Sequence, residues 1–211
     1  MKSAARFDLI LSLPVILLLA AFPGNSIAGQ VRTFGQMIDK NLNDQVSRAR
    51  LLRLGVEGQP LDVDQSIEIL TSVTNSNPGF YRAQYNLGLA LLKKHPDQPE
   101  HFLPALEKAA EIETTDSNIK DGSIYNTLGW SLLTNLKYDE AETYLRKGLD
   151  YAASNSDWTN SALNFNMGRL YFETQRYDKA KKFLSVAADS YGNPTAIEMI
   201  ATIDKLKPPA N

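Results

Sequence analysis

An internal repeat constrains the fold of this chain more than any other feature of its sequence. The segments YNLGLALL (residues 85–92), NTLGWSLL (126–133) and FNMGRLYF (165–172) align without gaps, and their glycines lie 41 and 39 residues apart. Self-similarity at such a period is the signature of a stacked array, in which each repeat buries its apolar flank against the next.

Each of these segments is followed by a second one that also has helical spacing. The second segments are FLPALEKAA (102–110), YDEAETYLRKGL (138–149) and YDKAKKFLSVAA (177–188). Their apolar residues recur every three or four positions, which indicates a helix with one apolar face. The sequence therefore predicts an all-α fold, an α-solenoid of antiparallel helix pairs, with no sheet between residues 36 and 206.

The recurring glycine lies inside the first helix of each pair, at Gly88, Gly129 and Gly168. Glycine in a helix interior costs roughly 0.5–1 kcal/mol relative to alanine. Its recurrence predicts that the two helices of each pair approach closely at these positions, because a tight contact would offset that cost.

The pattern resembles the tetratricopeptide repeat, most closely in the last pair. There Met167, Gly168 and Tyr171 match the first helix of the family motif, and Ala180 and Leu184 match the second. The resemblance implies a right-handed superhelix whose concave groove receives a peptide or extended segment of another protein. One variety of these repeats clamps a C-terminal carboxylate with several cations, which the matching positions of this chain lack.

The boundaries follow from the alignment of the repeats. Asn193 and Pro194 have the residue types that open a helix, which predicts a closing helix after the last repeat. The predicted domain spans 29–207 and comprises a degenerate repeat 47–78, repeats 81–114, 122–155 and 161–194, and a capping helix 195–206, followed by a loose tail 208–211.

The N-terminus has the pattern of a signal peptide, predicted as residues 1–28. Lys2 and Arg6 precede a thirteen-residue apolar run, and Ser26 and Ala28 are small residues at the positions that a signal peptidase requires. We expect an exported, periplasmic or secreted protein with no membrane span after cleavage. The alternative is a retained membrane anchor, but the run is shorter than the roughly 20 residues that span a bilayer.

Composition and motifs argue against most other functions. The net charge is −2 and cysteine is absent, which disfavours nucleic acid as a partner and excludes disulfides and thiol catalysis. No phosphate loop, nucleophile elbow, HExxH or dinucleotide motif is present, so we expect no enzyme and no cofactor.

His95 and His101 lie in a proline-rich insertion, which favours a solvated segment over a metal site. The carboxylates around Glu142 are interpreted as a solvated helix face.

The side of the first helices that faces away from their pairing partners is the predicted binding groove. Its apolar and aromatic character suggests a peptide site, in which Trp130 and Phe172 would be the main anchors and Arg169 the one anion contact. The alternative is that these side chains only pack one first helix against the next. The predicted groove residues are Tyr85, Asn86, Leu89, Asn126, Trp130, Leu133, Phe165, Asn166, Arg169 and Phe172.

These features leave three candidate functions. The favoured one is a protein-binding module or assembly scaffold of the cell envelope. The first alternative is an obligate structural subunit of an envelope complex, and the second is an enzyme of helical architecture that none of the motifs indicates.

Overall fold

A computed structural model describes residues 27–56, 58, 60–115, 122–152 and 157–206. Within these ranges the chain forms nine α-helices and no strand, which confirms the all-α prediction. Their bounds are α1 Ile27–Leu54, α2 Val63–Ser76, α3 Tyr81–Lys94, α4 Pro99–Thr115, α5 Ser123–Thr134, α6 Tyr138–Ala152, α7 Asp157–Glu173, α8 Tyr177–Ser185 and α9 Pro194–Leu206. All but the last two residues of the predicted signal peptide, and the whole predicted tail 208–211, lie outside the described residues.

The chain consists of two compact units, and α1 belongs partly to each. The first unit ends at Ser47 and the second runs from Arg48 to Asn211. The described part of the first unit is helical, and in it Gln45 Nε2 donates a hydrogen bond to Asn41 Oδ1 at 3.3 Å. All packing described below belongs to the second unit.

Successive helices pack as pairs. Helix α3 packs against α4, α5 against α6, and α7 against α8, while α4 with α5 and α6 with α7 join one pair to the next. The first helices α5 and α7 also touch each other, and α9 packs against α8. This arrangement is consistent with the α-solenoid of helix pairs that the resemblance implied.

The glycines lie at the crossings of the pairs, which confirms the prediction of close approach. A Cβ atom at Gly168 would be 2.6 Å from Leu184 Cγ and 3.1 Å from the Leu184 backbone nitrogen. The equivalent atom at Gly88 would collide with Leu106, and at Gly129 with Leu145. Each glycine therefore makes room for one leucine of the second helix of its pair.

The buried residues form two clusters that follow the order of the pairs. The first joins α3, α4 and α5 around Phe102, Leu106 and Tyr125, and the second runs from α5 to α9 around Leu145 and Tyr171. Leu103 and Tyr144 pack against both clusters, so the apolar interior continues from one pair to the next.

The turns within the last two pairs share an unusual backbone conformation. Leu136 and Gln175 have φ angles of 60° and 58°, and both follow the end of a first helix. Such left-handed positions are strained for any residue with a Cβ atom. Leu136 is also the most exposed large apolar residue among those described, at 68% of its surface.

The end of the array is closed as the sequence predicts. After α8 a short π-helical turn, Val186–Ser190, leads to the last connection. Asn193 Oδ1 accepts a hydrogen bond from the Ala196 backbone nitrogen at 3.1 Å, and Pro194 is the first residue of α9. Asn193 therefore caps the N-terminus of α9.

Candidate functional site

The candidate site is the side of the first helices α3, α5 and α7 that faces away from their pairing partners, which we call the first-helix face. It is defined by the predicted groove residues on these three helices. Trp130 of α5, the middle helix, is the most exposed of the aromatic side chains at the predicted positions, with 40% of its surface accessible. Tryptophan is rarely buried completely, and partly accessible aromatic side chains of this size are favoured as interface anchors.

Hydrogen bonds between neighbouring first helices hold this face together. Tyr85 of α3 and Thr127 of α5 share a hydrogen bond of 3.0 Å through their hydroxyl groups. Asn166 of α7 donates its Nδ2 to Asn126 Oδ1 of α5 at 2.9 Å. Two of the three asparagines in the predicted groove therefore contact each other directly.

The remaining predicted residues of α3 belong to the same surface. Asn86 and Leu89 are half-buried. The Asn86 amide donates to the Arg82 carbonyl oxygen at 2.8 Å, a bond within its own helix. Its carbonyl oxygen has no hydrogen-bond partner among the described residues.

Two phenylalanines of α7 serve the core as much as the surface. Phe165 and Phe172 are partly buried and pack against the C-terminal apolar cluster. The Phe172 ring also meets the Tyr177 ring edge-on, with 5.8 Å between their centroids. Part of the alternative interpretation, that the aromatic residues pack helices together, therefore applies to these two.

The prediction that Leu133 lines the groove is wrong. Its side chain is fully buried in the cluster that joins α5 to α9. Most residues of α5 are apolar or small, so the helical period alone does not tell which of them faces the interior.

Arg169, the predicted anion contact, has an acidic neighbour on its own helix. Arg169 Nε lies 2.7 Å from Glu173 Oε1, one turn further along α7. The pair is about one-third exposed, and Glu173 neutralises the guanidinium. The first-helix face therefore offers aromatic and amide groups and little net charge.

A polar cluster that the sequence did not predict lies between the second pair and the third. Tyr171 donates its hydroxyl to Glu142 Oε1 at 2.7 Å, Arg146 binds the same oxygen at 2.6 Å, and Arg176 binds Oε2 at 3.0 Å. The Glu142 side chain is only 18% exposed, so its interpretation as part of a solvated face is wrong. The only available sequence signal was the spacing of Glu142 and Arg146 by one helical turn.

The pKa of Glu142 reflects these contacts. Burial alone would raise the pKa, but the hydrogen bonds from Tyr171, Arg146 and Arg176 outweigh it and lower the pKa from 4.5 to about 2. The same carboxylate, together with burial, raises the pKa of Tyr171. Glu142 is therefore ionised at neutral pH, and it ties α6 to α7 and to the turn before α8.

The described residues contain little that resembles a catalytic or metal centre. His95 and His101 stack face to face, with 4.4 Å between their ring centroids. No group of three or more metal-binding side chains is found among the described residues. An open cavity of about 340 Å³ lies between the turns that precede α6 and α8, lined by residues 136–140, Thr174 and Arg176.

The helix pairs and their glycine crossings define a repeat protein of the α-solenoid class. A family model described as the tetratricopeptide repeat matches residues 132–202, from the end of α5 into α9. This match supports the tetratricopeptide identity of the chain, and such repeats generally act as protein–protein interaction modules. No curated protein sequence matches the chain.

The sequence predicts no membrane span after cleavage of the signal peptide. Among the described residues, none of the helices combines the length and the apolar character needed to cross a bilayer.

Proposed function

We propose that this protein binds an extended segment of another polypeptide along its first-helix face. The observation that carries the proposal is the partly exposed Trp130 on α5, the helix whose Thr127 and Asn126 make hydrogen bonds to α3 and to α7. Large aromatic side chains supply much contact area at little conformational cost, and they dominate the energetics of interfaces.

The polar groups of the face suit the backbone of an extended peptide. Asn126 uses its Oδ1 to accept from Asn166, so its Nδ2 has no partner among the described residues. The Asn166 side chain is buried, so it orients the Asn126 amide and does not face a ligand itself. A donor for a backbone carbonyl group of the peptide is thus available one helical turn from Trp130. Since Arg169 is paired with Glu173, we expect the bound segment to be apolar and uncharged.

We also infer that the protein acts in a bacterial cell envelope as a binding module or assembly scaffold. The support is the N-terminal sequence, with Lys2 and Arg6 before the apolar run and small residues at 26 and 28. The intact mass of the exported protein should correspond to a chain that begins at Gly29. Recovery of a species that retains residues 1–28 in the membrane fraction would overturn the export and cleavage proposal.

The test of binding uses site-specific photo-crosslinking in the host of the protein. A photoreactive amino acid at position 130 should capture a defined segment of a partner, whereas the same amino acid at position 136 should not. Leu136 is a suitable control because it is more exposed than Trp130 but lies in the turn between α5 and α6.

The captured segment is then synthesised as a peptide and its affinity is measured. Trp130→Ala should weaken binding by about thirtyfold, corresponding to the loss of about 2 kcal/mol at an interface anchor. Leu136→Ala should change the affinity less than twofold. Equal capture at both positions, or unchanged affinity in Trp130→Ala, contradicts a binding role for the first-helix face. If the purified chain is insoluble without its partner, the obligate-subunit alternative is favoured instead.

A further inference from the structure

Three cationic side chains converge on the buried ring of Tyr171. The Arg176 guanidinium lies 4.4 Å from the ring centroid, Lys179 Nζ lies 5.5 Å from it, and Arg146 donates to the Tyr171 hydroxyl at 2.7 Å. We call Arg146, Arg176 and Lys179 the cation cluster. Its members come from the second helices α6 and α8 and from the turn before α8, and not from the first-helix face.

The charges of this cluster are only partly balanced. Glu142 binds Arg146 through Oε1 and Arg176 through Oε2, and it is the only carboxylate in ion-pair contact with the cluster among the described residues. Asp150 acts on Arg146 only at longer range. In direct contact, three positive charges therefore share one negative charge. Asp139 and Glu140 line the same open cavity as Arg176 but form no ion pair with it.

The outer side of the cluster is available for further bonds. The Nη1 atoms of Arg146 and Arg176 and the Nζ of Lys179 have no hydrogen-bond acceptor among the described residues. The Arg146 and Arg176 side chains remain 55% and 37% exposed, while Glu142 occupies their inner side. A second carboxylate could approach the two guanidinium groups from the solvent side.

The cluster is also held in place before any ligand binds. Arg176 stacks on the Tyr171 ring and donates its Nε to Thr174 Oγ1 at 3.0 Å. Tyr171 is fully buried, and Glu142 joins the two arginines. Binding an anion would therefore restrict few additional rotations, and a planar guanidinium matches the geometry of a carboxylate.

We propose that the cation cluster is a second binding site, which takes the carboxylate side chains of an acidic peptide segment. The site is independent of the first-helix face. A single strand is favoured over a membrane surface because acidic side chains on α6, Asp139, Glu140 and Asp150, are exposed, and because the whole chain is anionic. A flat anionic bilayer would be repelled by these groups, whereas one strand needs to contact only the cluster.

The test measures binding of a fluorescein-labelled, end-capped octa-glutamate peptide to the full protein at low salt. We expect saturable binding that weakens as salt is added, because the exposed charges are screened. Lys179→Glu should weaken the affinity about tenfold or more, as expected when a cation of a clustered site becomes an anion. Trp130→Ala should leave this affinity unchanged, which separates the two proposed sites.

The matched control is Lys182→Glu, an equal change of charge on the same helix at an exposed lysine without a contact to Tyr171. It should alter the affinity less than twofold. In the wild type, the peptide should also shift the NMR signals of the Arg146 and Arg176 Nε–H groups, a readout that needs no variant to fold. Equal weakening by both lysine variants, unchanged arginine signals, or binding to phosphatidylglycerol vesicles without binding to the peptide would each overturn the proposal.

Discussion

Leu184 of α8 fills the space that the missing side chain of Gly168 leaves on α7. A Cβ atom at position 168 would come within 2.6 Å of Leu184 Cγ, closer than real side chains approach. The backbone nitrogen of Leu184 would also lie only 3.1 Å away. The leucine cannot relieve the contact by changing its rotamer alone, so the two helices would have to separate.

Gly168→Ala should therefore destabilise the protein by about 1–3 kcal/mol, the usual cost of overpacking a well-packed interior. Denaturant unfolding followed by circular dichroism measures this change. Gly79→Ala is the matched control, because a Cβ atom there would meet nothing within 4 Å and its φ angle is an ordinary one. An equal stability of Gly168→Ala and Gly79→Ala would show that the crossing is not tight.

The ion pairs of Glu142 predict a loss of stability in acid. Its pKa is about 2 in the folded chain against an ordinary value of 4.5, so the folded state binds the proton less readily than the unfolded state. The contribution is complete above about pH 4.5 and is lost as the pH falls towards 2. We expect on the order of 1–2 kcal/mol, because solvent reaches Arg146 and Arg176 and weakens the pairs.

Glu142→Gln should remove this pH dependence as well as part of the stability at neutral pH. Unfolding free energies at pH 7 and pH 3 would be compared for the wild type, Glu142→Gln and Glu140→Gln. Glu140 is an exposed neighbour on the same helix, and its one ion pair among the described residues is with Lys137 at 3.5 Å. If Glu140→Gln flattens the acid dependence as much as Glu142→Gln, the buried contacts of Glu142 are not its cause.

Leu133 and Trp130 lie one turn apart on α5, yet their truncation should lower the folding stability by very different amounts. Leu133→Ala should cost about 2–5 kcal/mol of folding stability because the side chain is fully buried. Trp130→Ala should cost about 1 kcal/mol, well below the 3–5 kcal/mol typical of a core aromatic. Thermal unfolding of the two variants checks this directly, and a large loss in Trp130→Ala would place the indole in the core.

Leu136 offers a way to stabilise the chain. Its φ of 60° costs a residue with a Cβ atom about 1–2 kcal/mol, and glycine adopts this conformation without strain. Leu136→Gly should raise the free energy of unfolding by about 0.5–1 kcal/mol after the greater flexibility of the unfolded chain is counted. Leu136→Ala removes the same side chain but keeps the strain, so it should not stabilise. A gain in both variants would assign the effect to exposed apolar surface.

The features that the sequence predicted well have a local physical cause. A glycine inside a helix has few explanations other than a close neighbour, so Gly88, Gly129 and Gly168 indicated the helix pairs correctly. The two faces of a helix are harder to separate when nearly all of its residues are apolar. Leu133 was therefore assigned to the groove although it belongs to the core.

The polar contacts of Glu142 with Tyr171 and Arg176 join residues that lie far apart in the sequence. Tyr171 is 29 residues away and Arg176 is 34 residues away from Glu142. Only the i,i+4 contact with Arg146 is visible in the sequence, and that spacing is common on solvated helices. The packing of α6 against α7 converts an ordinary surface pattern into a half-buried anion with three partners.

The hydrogen bonds between Tyr85 and Thr127 and between Asn166 and Asn126 give the array a mechanical property. They join neighbouring first helices on the same face that exposes Trp130. Any flexing of the solenoid that spreads its first helices must stretch these bonds and reshape the face. A polypeptide that bridges α3, α5 and α7 would stiffen the array. Tension applied to the ends of the array would weaken the binding of that polypeptide.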